Sequence, residues 1–185
     1  LDLTGTLPTP DAARAFLGDT AKDKRTKLVG ALLERPEFAD LWALRWADLL
    51  RVDRQALGHQ RAHLYYKWIR DSVARNKPFD EFAREFVTAE GPVTEVGPAN
   101  FFKVVTKPGE AASTVSQVFL GVRITCAECH HHPFDRWKQS DYYGMTAFFG
   151  GTQRHPRTKK PVYAHALGTD MPAADLTGDR RVPLA

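Results

Sequence analysis

Cys126-Ala127-Glu128-Cys129-His130 is the stretch on which the reading of this chain turns. Two thiols three positions apart, followed at once by a histidine, form the attachment pattern of a c-type haem. Each thiol can add across one vinyl group of the porphyrin, and the adjacent imidazole then reaches the iron. A single helical turn presents both sulfurs to one edge of the macrocycle. These are the only two cysteines in the 185 residues, so no other cysteine chemistry competes. The expectation is one covalent haem c per chain, with thioether bonds at Cys126 and Cys129 and His130 as proximal ligand.

Other readings of the same residues stand beside this one. A CxxC pair also serves as a disulfide or redox motif, although no βαβ pattern surrounds it here. Zinc accepts mixed sulfur and nitrogen ligands, so Cys126, Cys129 and His132 would suit it with a distant fourth ligand such as His155 or His165. A five-residue pattern also arises by chance.

Upstream, the chain reads as helices separated by short breaks. Thr9-Pro10-Asp11 places a cap, a first-turn proline and an acid before Ala12–Leu17. A second helix is expected from Asp23 to Leu33, stopped before Pro36. Phe38, Leu41, Trp42, Trp46 and Leu49 recur at helical spacing and mark a third. Leu64, Tyr65, Trp68, Ile69 and Val73 line one face of a fourth, from Gln60 to Arg75. Phe79, Phe82 and Phe86 follow Pro78 on a fifth. The aromatic residues of these five are expected to form one core around or beside the haem, with Trp42 and Trp68 largely buried. Gly91-Pro92 and Gly97-Pro98 break the chain into a loop as far as Asn100. Phe101–Thr106 reads as a short strand or extended chain. Pro108–Leu120 is a sixth helix that delivers the chain to the cysteines, and Ser140–Phe149 a seventh, with Tyr142, Met145 and Phe149 on one side.

The run Phe119-Leu120-Gly121-Val122-Arg123, the block CAECHHHPFDRW from Cys126 to Trp137 and the helix DYYGMTAFF from Asp141 to Phe149 resemble the planctomycete cytochrome-c-like domain. That family was long filed as being of unknown function and forms part of large exported multidomain proteins. The resemblance also covers Leu1–Gly5, Trp42–Leu50 and Gly97–Phe101, so it spans about the first 150 residues. It implies a covalently bound haem and an extracytoplasmic location (periplasmic, cell-surface or secreted), without a settled reaction. At one point the chain departs from the pattern: Lys138 stands where a hydroxyl residue is expected to cap the DYYG helix.

The chemistry around the iron follows from residue types. Arg123, Arg136 and Lys138 lie close in sequence, and guanidinium groups fork onto carboxylates, so Arg123 and Arg136 are expected to meet the haem propionates. For the sixth position Met145 is preferred, because a thioether ligand raises the potential and suits electron transfer. His132 is tied two residues from the proximal histidine and precedes Pro133, so it reads as a hydrogen-bonding residue. The leading function is therefore single-haem electron transfer with a redox partner protein. The alternatives are a haem enzyme or small-ligand sensor with an open distal site, and a module that zinc or haem merely staples. No paired carboxylates point to hydrolysis.

Composition bounds the rest. The expected fold is mostly α: a single compact multi-helix domain over residues 1–150, then an irregular basic tail over 151–185 with room for a short hairpin. Hydrophobic residues make up 43% and charged residues 26%, ordinary for a globular domain. A net charge of +4 is too small and too dispersed for nucleic acid. No apolar run approaches the roughly 20 residues of a membrane span. The chain opens Leu1-Asp2-Leu3, without methionine or signal region, so it is expected to be part of a larger precursor with other domains.

Overall fold

Proline opens three of the helices: α1 (Pro10–Gly18), α3 (Pro36–Leu49) and α8 (Pro108–Leu120). It fits there because the first helical amide has no intrahelical partner to lose. The computed structural model describes residues 1–150, together with the backbone of 152–154 and 161–163. Between and after those three lie α2 (Lys24–Leu33), α4 (Arg54–Leu57), α5 (His59–Ala74), α6 (Phe79–Val87), α7 (Phe101–Val104) and α9 (Gln139–Ala147). The domain is mostly helical, as the periodicity predicts. A short antiparallel pair, β1 (Thr152–Arg154) with β2 (Pro161–Tyr163), follows. The remainder of the expected tail, with His155 and His165, lies outside the described residues.

The core forms where α3 lies against α5. Ala39, Ala43 and Ala47 are the buried residues of α3, four apart, and they meet an α5 face that buries Ala62, Tyr65, Ile69 and Ser72. Small side chains let the two helix axes approach closely, and the large residues of α3 flank the contact. This corrects the expected inward stripe. Leu49 is 53% exposed, and Trp42 and Trp46 are half-buried, as is Trp68 of α5. Leu50, just past α3, is fully buried, and its carbonyl accepts the Tyr65 hydroxyl at 3.0 Å.

Aromatic rings fill the space beyond. Phe82 of α6 stacks on Trp68 with centroids 4.8 Å apart, and Phe86 packs on Phe101 at 4.7 Å and on Phe119 at 5.4 Å. Phe79, expected with them, is 55% exposed at the helix start.

Two segments differ from their expected states. Phe101–Thr106 is not extended: Phe101–Val104 is a helical turn preceded by a 3₁₀ turn, Pro98–Asn100. A strand would send Phe101 and Phe102 to opposite faces. The turn buries both. The short helix α4 has no apolar periodicity to announce it. Asp53 starts it by accepting the Gln55 amide at 2.7 Å, and Gly58, at φ 75°, stops it. No helix among the described residues is long and apolar enough to cross a membrane.

Candidate functional site

Gly121 ends α8 in the left-handed conformation at φ 68°, where glycine avoids a Cβ clash, and turns the chain toward the cysteines. The next element is a 3₁₀ helix, Ile124–Ala127, rather than the expected α-helical turn. In that geometry residues three apart eclipse one another. Ile124 and Ala127 therefore share the buried face, while Cys126 within the helix and Cys129 in the turn after it are both exposed free thiols.

The three consecutive histidines have different tasks. His130 Nδ1 lies 2.7 Å from the His131 carbonyl. A carbonyl only accepts, so this nitrogen carries a proton, and in the neutral ring the lone pair then sits on Nε2. His131 Nδ1 accepts the Gln139 amide, and His132 Nδ1 accepts the Phe134 amide, each at 3.2 Å. The His132 amide also donates to the Trp137 carbonyl at 2.8 Å. His132 is thus the hydrogen-bonding residue the sequence predicts.

The segment is tied to α9 through one carbonyl. Glu128 O accepts Gln139 Nε2 at 2.9 Å and the Tyr143 hydroxyl at 3.2 Å. Burial, and then the Glu128 charge, push both Tyr142 and Tyr143 above the ordinary phenol range, so Tyr143 remains a donor at neutral pH. Gln139 and Tyr143 were not anticipated in this role. Their signal was only a tyrosine pair on the helix that follows the motif. The α9 start is fixed without a hydroxyl residue: the Asp141 carboxylate accepts the Lys138 amide at 2.7 Å.

The remaining expected residues are spread around the segment. Arg123, which precedes the 3₁₀ helix, is exposed, whereas the Arg136 guanidinium lies 5.2 Å from the centre of the Trp137 ring. Asp135 holds that corner by accepting the Arg136 amide at 2.7 Å and the Trp137 indole N–H at 3.0 Å. Met145 is half-buried and packs against two clusters at once. One is the main core, and the other is the small group of Ile124, Ala127 and Tyr142 beneath the cysteines. Among the described residues no group of three or more His, Cys, Asp or Glu side chains is placed to hold a metal, and the distant fourth zinc ligand expected for Cys126, Cys129 and His132, His155 or His165, lies outside those residues.

A family model described as PSCyt2, a protein of unknown function (DUF1549), matches residues 1–154. The chain belongs to this family. The PSCyt2 match contains the whole aromatic core and the cysteine segment, and its description carries no activity. No curated protein and no solved structure matches the chain.

Proposed function

We propose that this PSCyt2 domain holds one haem c, joined by thioether bonds to Cys126 and Cys129 with His130 as axial ligand, and passes single electrons within an exported multidomain protein. The observation that carries the reading is the arrangement of three adjacent groups. Two free thiols three residues apart are both exposed, and next to them in sequence stands an imidazole whose Nδ1 is already committed, leaving Nε2 as the ligating atom. Phe134 supports it: this ring is 95% exposed, five residues past Cys129, where an apolar partner would relieve the cost of its contact with water.

When bound, a haem supplies a one-electron couple at the surface, within reach of a redox partner protein. The chain's own residues do the positioning. Ile124 and Ala127 anchor the 3₁₀ helix, the His131 carbonyl sets the tautomer of His130, and Gln139 with Tyr143 clamps the Glu128 carbonyl. Arg123, exposed beside the segment, is the guanidinium we assign to a propionate, since Arg136 is already placed over Trp137.

Production in a host with a c-type maturation system tests the reading. The intact mass should rise by one porphyrin that acid acetone does not extract, and Cys126→Ser with Cys129→Ser should abolish it. A colourless protein from that host would overturn the proposal. A second reading, an open sixth position that takes a small ligand, is favoured by Met145, whose contacts hold it in the core. Carbon monoxide separates the two, because it shifts the reduced spectrum at once only where the position is open.

A further inference from the structure

The backbone between the two cysteines is held from both sides. The Glu128 amide donates to the Thr125 carbonyl at 3.1 Å, and the Glu128 carbonyl accepts Gln139 Nε2 and the Tyr143 hydroxyl from α9. Ala127, the other residue between them, is fully buried. It ends the 3₁₀ helix, and Glu128 after it keeps a right-handed helical backbone, at φ −62° and ψ −44°. Two successive residues of that kind bring the Cα atoms on either side of them within about 7 Å, the span of a turn. The thiols of Cys126 and Cys129 thus start from one short, fixed arc, and both are exposed and unbridged. Two sulfurs so placed can reach one ion. A third ligand is what they lack: among the described residues no group of three or more His, Cys, Asp or Glu side chains is placed to hold a metal. That discriminates between metals. Zinc asks for four ligands, and calcium or magnesium for six or more, mostly oxygens. Thiolates are soft donors that select Cu(I), a d¹⁰ ion satisfied by two of them in a line.

We infer that Cys126 and Cys129 of the haem-free domain hold one Cu(I) ion between two thiolates. Two S–H protons leave to water, two S–Cu bonds form, and the copper stays monovalent. The intervening backbone is already in place, so binding orders little beyond the two cysteine side chains. Haem attachment converts the same two sulfurs to thioethers, which have no proton to give up and are poor partners beside a thiolate pair. Copper and haem therefore exclude each other, and copper on the thiols would hold the domain in its haem-free form. That competition rests on the proposed haem, whereas the copper site does not.

The test uses the full chain produced without a c-type maturation system, kept reduced under inert gas and titrated against the Cu(I)–bicinchoninate complex. The visible band of that complex should fade until one copper per chain has been transferred. Cys126→Ser and Cys129→Ser should each abolish the transfer, because a single thiolate leaves the ion half-ligated. Both cysteines are exposed, so serine there leaves the core untouched. His132→Gln should leave the transfer unchanged, since no nitrogen completes the site. No transfer, transfer that survives either serine variant, or one copper shared by two chains would overturn the inference. Loss of transfer in His132→Gln would reveal a third ligand and overturn the two-thiolate site. Chain carrying covalent haem should take up no copper, and equal uptake by that form would overturn the shared sulfurs. The titration needs no haem, so its failure and that of the proposed function are distinguishable.

Discussion

Asn100 shows how much a single buried side chain holds in this domain. It is fully buried, and its Nδ2 faces the carbonyls of Val93, Val96 and Gly97 at 2.9, 3.2 and 3.0 Å. Of the two ends of the amide only the nitrogen can donate to carbonyls, its two N–H groups serving three acceptors with one hydrogen shared, so the orientation of the group is determined by its surroundings. Asn100→Ala would remove the side-chain donor from the Val93 and Val96 carbonyls, while Gly97 O keeps the backbone amide of residue 100, and we expect a loss of about 3 kcal/mol, measured by urea denaturation. Asn100→Asp should cost more at neutral pH, since a carboxylate would face carbonyl oxygens with no cation beside it. Its folded pKa would be raised, so the acid form restores stability at low pH and the deficit grows as pH rises. An Asp variant with a flat pH profile would contradict this. Asn100 was legible from sequence only as the end of a loop punctuated by Gly-Pro pairs. Its partners are carbonyls, which any residue carries, so no residue type signals them. Cys126, Cys129 and His130 stand out in the sequence because the chemistry proposed for them depends on side chains that few other residues share.

At the scale of elements, periodicity located all seven expected helices, yet misjudged which residues of a helix are the most deeply buried. In α3 the eye follows the tryptophans, but the buried residues of this helix, which packs on α5, are Ala39, Ala43 and Ala47. Burial depends on how near the partner backbone comes, which side-chain hydrophobicity alone does not encode. The four-residue helices α4 and α7 are too short for any period to show. The α6 helix gives a direct test of inward against outward positions on one element. Phe86 is fully buried among Phe101, Phe119 and Trp68, whereas Phe79 is more than half exposed. Phe86→Ala should cost about 3–5 kcal/mol and Phe79→Ala about 1 kcal/mol or less. Equal losses in chemical denaturation would show that the two ends of α6 are packed alike.

At the scale of the whole molecule, the described residues gather into a large aromatic core and a small satellite cluster beside the cysteines. The satellite buries only Ile124, Ala127 and Tyr142, too little to order the segment by itself. It is coupled to the main core through Met145, which packs on both. The two roles considered for this residue make opposite demands. An iron ligand has to leave that seam and present its sulfur to the haem, which would open voids in both clusters. A packing residue stays where it is, and its value lies in its volume and flexibility. Met145→Leu conserves volume while removing the thioether, and such exchanges usually cost less than about 1.5 kcal/mol. If the domain is loaded with haem as proposed, we therefore expect the Leu variant to keep that haem, its visible spectrum, its reduction potential and nearly all of the parent's stability. Met145→Ala should instead loosen the satellite, lowering stability by about 2–4 kcal/mol and speeding hydrogen exchange at Ile124–Ala127. A near-infrared sulfur-to-iron band present in the parent protein and lost in Met145→Leu, with a lower potential, would assign Met145 to the iron instead.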